Sequence, residues 1–66
     1  MTIQLNGEPF EVRGPVSISG LLELLDVDPR RVAVEHNLLV VKRDAYPSTT
    51  IKEKDLVEIV NFVGGG

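Results

Sequence analysis

The sequence predicts an α+β fold, a mixed sheet of four to five strands with one helix packed on one face. Three observations predict it. Apolar and polar residues alternate on both sides of Asn6-Gly7, the period-two pattern of a half-buried hairpin. Ile18, Leu21, Leu22 and Leu25 then fall at i, i+3, i+4 and i+7, on one face of a helix. Three further apolar runs follow: Val32 to Val34, Leu38 to Val41 and Leu56 to Val63. A helix this short is marginal alone, so it must bury its stripe against the sheet.

The elements follow in chain order. Ile3 and Leu5 alternate with Thr2, Gln4 and Asn6, and Phe10 and Val12 with Glu11 and Arg13. Asn6-Gly7 between them suits a type I′ turn, whose central residues need positive φ. Gly14-Pro15 ends the returning strand. Ser17 reads as the helix N-cap, Glu23 lies outside the apolar stripe, Leu24 sits at its edge, and Asp26, Asp28 and Pro29 stop the helix. Asn37 marks a tight reversal between the next two strands. Lys42 to Lys54 is polar and turn-rich, with a short helical turn near Asp44 to Tyr46. Leu56 to Val63 is the last strand, and Gly64-Gly65-Gly66 follows. The division expected is a folded domain over 1–63 and a flexible glycine tail over 64–66.

Composition limits the functions available. The 66 residues make one domain, and a domain this small cannot wall a deep pocket on all sides. Cysteine is absent, so disulfide staples, zinc ribbons, iron–sulfur sites and thiol nucleophiles are excluded. An intracellular, cytoplasmic setting is expected for a small unstapled domain. No apolar run approaches the ~20 residues of a membrane span, and Met1 to Gly7 lacks the basic and apolar regions of a signal peptide. A net charge of -3 argues against nucleic acid as partner.

The last strand faces two ways. Glu58 belongs in water, so Val57 and Ile59 point at the helix, while Leu56, Val60 and Phe62 share the face of Glu58. One helix covers one face. Val60 and Phe62 are therefore expected on an open face, as apolar residues of a partner surface. The competing expectation is a twist of the strand, or a loop such as Tyr46-Pro47 covering them.

Three terminal glycines are either a frayed end or a working one. Glycine has no Cβ, so such a tail is thin enough to thread a channel that excludes side chains. Its reactive group is the α-carboxylate of Gly66. A carboxylate is a poor electrophile until it gains a leaving group, for example by adenylation with ATP. The chain has no phosphate-binding loop, so a partner enzyme would have to activate it.

The strand–helix order, Val32-Ala33-Val34-Glu35-His36-Asn37, Val40 to Arg43 with Tyr46 beyond, Lys54-Asp55 before a Val/Glu/Ile strand, and the ending Phe62-Val63-Gly64-Gly65-Gly66 resemble the ThiS sulfur carriers of thiamin biosynthesis. The resemblance covers the whole chain. It implies the ubiquitin-like β-grasp fold and a carrier that catalyses nothing itself. A ThiF-type enzyme would adenylate Gly66, and a cysteine-desulfurase relay would convert the adenylate to a thiocarboxylate. Thiazole synthase (ThiG) would take the sulfur into a thiazole ring, from a deoxyxylulose phosphate and a glycine-derived imine. Gly64 and Gly65 would thread the partner sites, and Val60, Phe62 and Val63 would dock. No cofactor is expected on the carrier, and ATP belongs to the activating enzyme. Two features depart from the common pattern: three glycines where many members have two, and Lys54 where β-grasp proteins often have Gly.

Other functions share parts of this reading. A MoaD-type carrier for molybdopterin has the same fold and tail, a ubiquitin-like modifier would join its tail to lysines of targets, and a TGS-like β-grasp module would bind through its sheet alone. His36 is read as a turn histidine without metal, since metal sites need three or four ligands. Arg30-Arg31 and Lys42-Arg43 are read as solvated surface, with steering toward an acidic partner as the functional alternative. Glu53, Asp55 and Glu58 lie near the reactive strand, where they could meet a basic partner.

Overall fold

The structure is a computed structural model and describes residues 1–62. Four-residue strands β1 (Thr2–Leu5) and β2 (Glu8–Glu11) form the first hairpin, followed by β3 (Val16–Ser17), helix α1 (Ile18–Leu24), β4 (Val32–His36), β5 (Leu39–Val41), β6 (Thr50–Ile51) and β7 (Leu56–Asn61). The main sheet has five strands in the order β2-β1-β7-β4-β5. β1 and β7 run parallel and the other neighbours antiparallel, so the sheet is mixed as expected. The helix covers one face. Ile18, Leu21 and Leu22 from α1 meet Ile3, Val32, Val34 and Val57 from the sheet in one buried core.

Both hairpins turn on the same device. Asn6 and Gly7 have φ of 51° and 84°, and Asn37 and Leu38 have 52° and 73°. Positive φ at both central residues is the type I′ pattern, whose twist matches that of the flanking strands. The first turn is the one read from Asn6-Gly7. The second places a leucine in the left-handed region, where a Cβ meets the following carbonyl at a cost of about 1–2 kcal/mol.

The helix begins as read. Ser17 Oγ accepts from the Gly20 N–H at 2.9 Å, an N-cap bond that satisfies one orphan donor of the first turn. Gly20 is needed for close approach, because a Cβ there would lie 2.6 Å from Val16 Cγ2. The helix ends one residue earlier than the apolar spacing suggests, with Leu25 as its cap. Asp26 takes φ 59°, its N–H bonds the Glu23 carbonyl, and the Val27 N–H bonds the Leu22 carbonyl. That paired closure is the Schellman motif, with Asp where Gly is commonest.

Several expectations need correction. β3 and β6 pair into a second, two-stranded sheet; each has two residues, too few to show a period in the sequence. The 42–54 segment is therefore not wholly turn, although its short helical turn is present at Arg43–Ala45. β7 stops at Asn61, short of the Val63 end. Lys54 adopts φ 70°, the left-handed conformation usual for Gly.

Replacing Leu38 by Gly relieves the left-handed strain and removes a side chain that is 77% exposed. Leu38→Gly is expected to raise stability by roughly 0.5–1 kcal/mol, net of the extra freedom gained by the unfolded chain. Urea denaturation measures this; a loss of stability would mean that the Leu38 side chain packs.

Candidate functional site

β7 is the central strand, and its register is fixed from both sides. Five residue pairs tie it to β4, from Val32↔Asn61 to His36↔Val57. On the other side Gln4 and Leu5 pair with Leu56 and Val57. The two turn asparagines extend these ladders. The Asn6 N–H donates to the Val57 carbonyl at 2.9 Å; its side-chain oxygen accepts from the Ile59 N–H at 2.7 Å, and its amide nitrogen donates to the Ile59 carbonyl at 3.3 Å. From the opposite hairpin the Asn37 N–H donates to the Leu56 carbonyl at 2.8 Å, and Asn37 Oδ1 accepts from the Leu56 N–H at 2.9 Å. The Phe62 N–H bonds the Arg31 carbonyl at 2.8 Å, which holds the chain to its last described residue.

The start of β7 has a third anchor. His36 Nε2 lies 2.7 Å from Asp55 Oδ2, with side chains only 16% and 14% exposed. The same carboxylate oxygen accepts from the Lys52 N–H at 2.8 Å, closing the turn before the strand. His36 is thus a strand-end residue in an ion-pairing position, not a plain turn histidine. Asp55 points into the fold and is not available to a partner. Burial pushes its pKa up, but hydrogen bonds from His36, the Lys52 N–H and Asn37 outweigh it and hold the carboxyl below its ordinary value. The ionised form is the one the fold stabilises.

With the register fixed, parity decides what β7 shows to each side. Val57 is buried and Ile59 half-buried against the core. Glu58, Val60 and Phe62 face outward, Val60 at 58% and Phe62 at 54% exposed. Tyr46 lies in the core, so the loop that could have covered them packs on the other side of the sheet. Cross-strand neighbours widen the open face. Ala33 lies opposite Val60 and Glu35 opposite Glu58 on β4, and Val40 lies opposite Glu35 on β5. Val40 is 72% exposed and was not among the candidates read from the sequence. Its alternation with Val41 and its distance from the helix stripe were the available signals, but they acquire meaning only once the β4–β5 register is known. Val63, Gly64, Gly65 and Gly66 lie outside the described residues.

A cleft of about 460 Å³ is lined by Ser19, Leu22, Glu23, Asp26, Val27, Asp28 and Pro29. Its Asp28 is committed to the chain, capping the Arg30 N–H and pairing with the Arg30 guanidinium at 3.0 and 3.1 Å. Among the described residues no three His, Asp or Glu side chains are grouped to hold a metal ion, and no helix is long and apolar enough to cross a membrane.

Comparison with known proteins agrees with this geometry. The model of the ThiS family matches residues 3–66. The chain is 32% identical over 65 residues to the sulfur carrier protein ThiS of Bacillus subtilis, covering 97% of this chain and 98% of that one. It is 44% identical over 66 residues to a thiazole synthase of Magnetococcus marinus, where it spans all of this chain but only 20% of that protein. The crystal structure of the thiamine biosynthesis protein ThiS from Geobacter metallireducens superposes with a TM-score of 0.88 at 38% identity, covering 100% of both chains. The strand order and helix seen here are therefore those of the ubiquitin-like β-grasp carriers.

Two outcomes follow from the anchoring of β7. Asp55→Asn removes the carboxylate while nearly keeping its shape, and is expected to cost about 1–3 kcal/mol at neutral pH, the range for a buried hydrogen-bonded charge. Because the folded pKa is depressed, this contribution is present above the ordinary value of 3.8 and is lost as pH falls through the folded value. The gap between wild type and variant should therefore narrow in acid denaturation series. Phe62→Ala, outside the core, should change stability by no more than about 0.5 kcal/mol; a drop of several times that in thermal unfolding would place Phe62 in the packing.

Proposed function

The chain belongs to the ThiS family, and we propose that it acts as the sulfur carrier for the thiazole of thiamin, with its glycine end as the working group. The observation that carries this reading is the apolar outward face of β7, ending at Phe62 immediately before Val63-Gly64-Gly65-Gly66. A docking surface that feeds into a side-chain-free segment suits delivery of a chain end into a partner's active site.

The chemistry is that of carboxyl activation. A ThiF-type partner binds the face formed by Val60, Phe62 and Val63, while Gly64 and Gly65 thread its channel. The Gly66 carboxylate attacks the α-phosphorus of ATP, pyrophosphate leaves, and an acyl adenylate forms. The terminal sulfur of a relay cysteine persulfide attacks the acyl carbon and AMP leaves, giving an acyl disulfide. A second thiol of the relay attacks the relay-cysteine sulfur of that S–S bond, forming a disulfide on the relay and leaving a thiocarboxylate on Gly66. Thiazole synthase takes that sulfur as a nucleophile and returns the carboxylate. The carrier supplies no acid, base or metal, and no cofactor of its own. ATP is consumed by the partner, and the cytoplasm is the setting proposed. The thiazole synthase of Magnetococcus marinus, one fifth of which is similar to this chain, supports thiazole synthase as the acceptor over a molybdopterin partner.

The test is intact mass after incubation with ATP, a sulfur donor and the purified adenylating enzyme of the same organism. Wild type should gain the mass of sulfur replacing oxygen, and a chain lacking Gly66 should gain nothing. Equal modification of the shortened chain would contradict the assignment, and attachment to larger proteins would indicate a modifier. In the same assay Phe62→Ala should weaken enzyme binding by about 1–3 kcal/mol, the range for an interface anchor.

A further inference from the structure

The open sheet face carries charge in a fixed pattern. Glu35 and Glu58 are directly opposite in the β4·β7 ladder. The neighbouring bonds Asn37 N–H to Leu56 and Phe62 N–H to Arg31 place this pair at a hydrogen-bonded position, with Cα atoms about 5.5 Å apart. Both side chains are exposed. Neither forms an ion pair with a described residue; the described pairs are Arg30–Asp28, Arg31–Asp28 and His36–Asp55. Like charges in this position destabilise a sheet.

Their surroundings make the pair more than a solvated edge. Val40 flanks Glu35 on β5, and Val60 and Leu56 flank Glu58 along β7. A surface that covers Val40, Leu56 and Val60 together must also cover Glu35 and Glu58, which lie among them. Buried carboxylates without a counter-charge are costly. The partner must therefore bring a cation to this point.

The Phe62 end has the opposite sign. The Phe62 N–H bonds the Arg31 carbonyl at 2.8 Å, and the Arg43 guanidinium reaches the Arg30 carbonyl at 3.5 Å. Lys42 continues β5 in extended conformation, φ -71° and ψ 146°, and by parity lies on the face of Val40. Arg31 thus lies opposite Phe62 and Arg43 reaches the same end, whereas Lys42, by extension of the β4·β5 register, lies opposite Ala33, one row nearer Glu35. Asp28 occupies Arg30 and approaches Arg31 at 3.9 Å, whereas Lys42 and Arg43 enter no ion pair among the described residues. Arg31 and Glu35 are four residues apart along the extended chain, about 13 Å, which exceeds the screening length of ~8 Å at physiological salt, whereas Lys42 is diagonal to Glu35 at about 7–8 Å. Arg31 and the acidic pair therefore act as separate contacts.

Resting on the carrier reading above, we propose that this face is matched by a surface of the adenylating enzyme of inverse charge: a basic side chain over Glu35 and Glu58, and a carboxylate opposite Arg31. The apolar residues supply contact area. The charges set orientation, because a reversed docking would place like on like at both ends, and electrostatic complementarity of this kind fixes register and suppresses wrong poses. The orientation selected puts Phe62 at the mouth of the channel that receives the glycines. The acidic pair is thus kept at a cost to the free fold that the partner's cation offsets.

The experiment exchanges the charges without changing their sum. A double variant, Glu58→Lys with Arg31→Glu, keeps the net charge of -3, and Glu58→Gln serves as a nearly isosteric single variant. Each is titrated against the purified adenylating enzyme with ATP, at low and high salt, beside thermal unfolding of the free protein. The exchange is expected to weaken binding about tenfold or more at low salt, with a smaller effect at high salt. Glu58→Gln should unfold at a slightly higher temperature than wild type yet bind less tightly, an opposition that a purely structural role does not produce. Binding of the exchanged variant within about twofold of wild type would overturn the inference; should that variant fail to fold, unchanged affinity of Glu58→Gln would overturn it equally. A wild type that is neither bound nor adenylated would overturn the carrier reading itself, and this inference with it.

Discussion

The register of β7 is the constraint on which the rest depends. A one-residue slip of a strand exchanges its two faces, and here it would bury Glu58 and expose Val57. Three polar anchors oppose such a slip. Asn6 and Asn37 are turn residues whose side chains continue the ladders onto Ile59 and Leu56, and Asp55 ties the preceding turn to His36. Each fits one alignment only. Positive φ suits asparagine at the turns, and its amide then serves the neighbouring strand. Local conformation and long-range pairing are thus specified by the same residues.

That arrangement explains why so small a domain can keep an apolar face uncovered. One seven-residue helix closes one side of five strands, and the core on that side is complete: ten apolar residues are buried, with no buried polar or charged residue among those described. The other side is left open, with Val40, Val60 and Phe62 exposed. A protein of this size has little volume in which to build a deep pocket. What the described residues present is a patterned surface. The family to which it belongs has a Bacillus subtilis member named as a sulfur carrier protein.

Much of this could be read from the residues because their patterns are local. Alternation around Asn6-Gly7, the Ser17 cap and the stripe of Ile18, Leu21 and Leu22 all express their periods within a few positions, and the outward placement of Val60 and Phe62 followed from the charge of Glu58. What escaped was non-local. β3 and β6 are two-residue strands that exist because Val16 meets Ile51. Asp55 read as a surface acid beside the last strand, and only the fold brings His36 to it. Val40 became part of the candidate face through its register with Glu35. Leu38 was read as the start of a strand, and its left-handed turn position has no sequence signature. The Lys54 turn resisted sequence reading for the same reason: positive φ at a non-glycine is imposed by what the flanking strands require.

The most direct test of sulfur carriage follows the atom. The protein would be prepared as its thiocarboxylate with isotopically labelled sulfur, then mixed with thiazole synthase and its two other substrates in the absence of any further sulfur source. Label appearing in the thiazole, one sulfur per chain consumed, with recovery of the unmodified carboxylate mass, is the result the account predicts. Label retained on the protein while thiazole synthase remains active with a thiocarboxylate carrier of known function would contradict it.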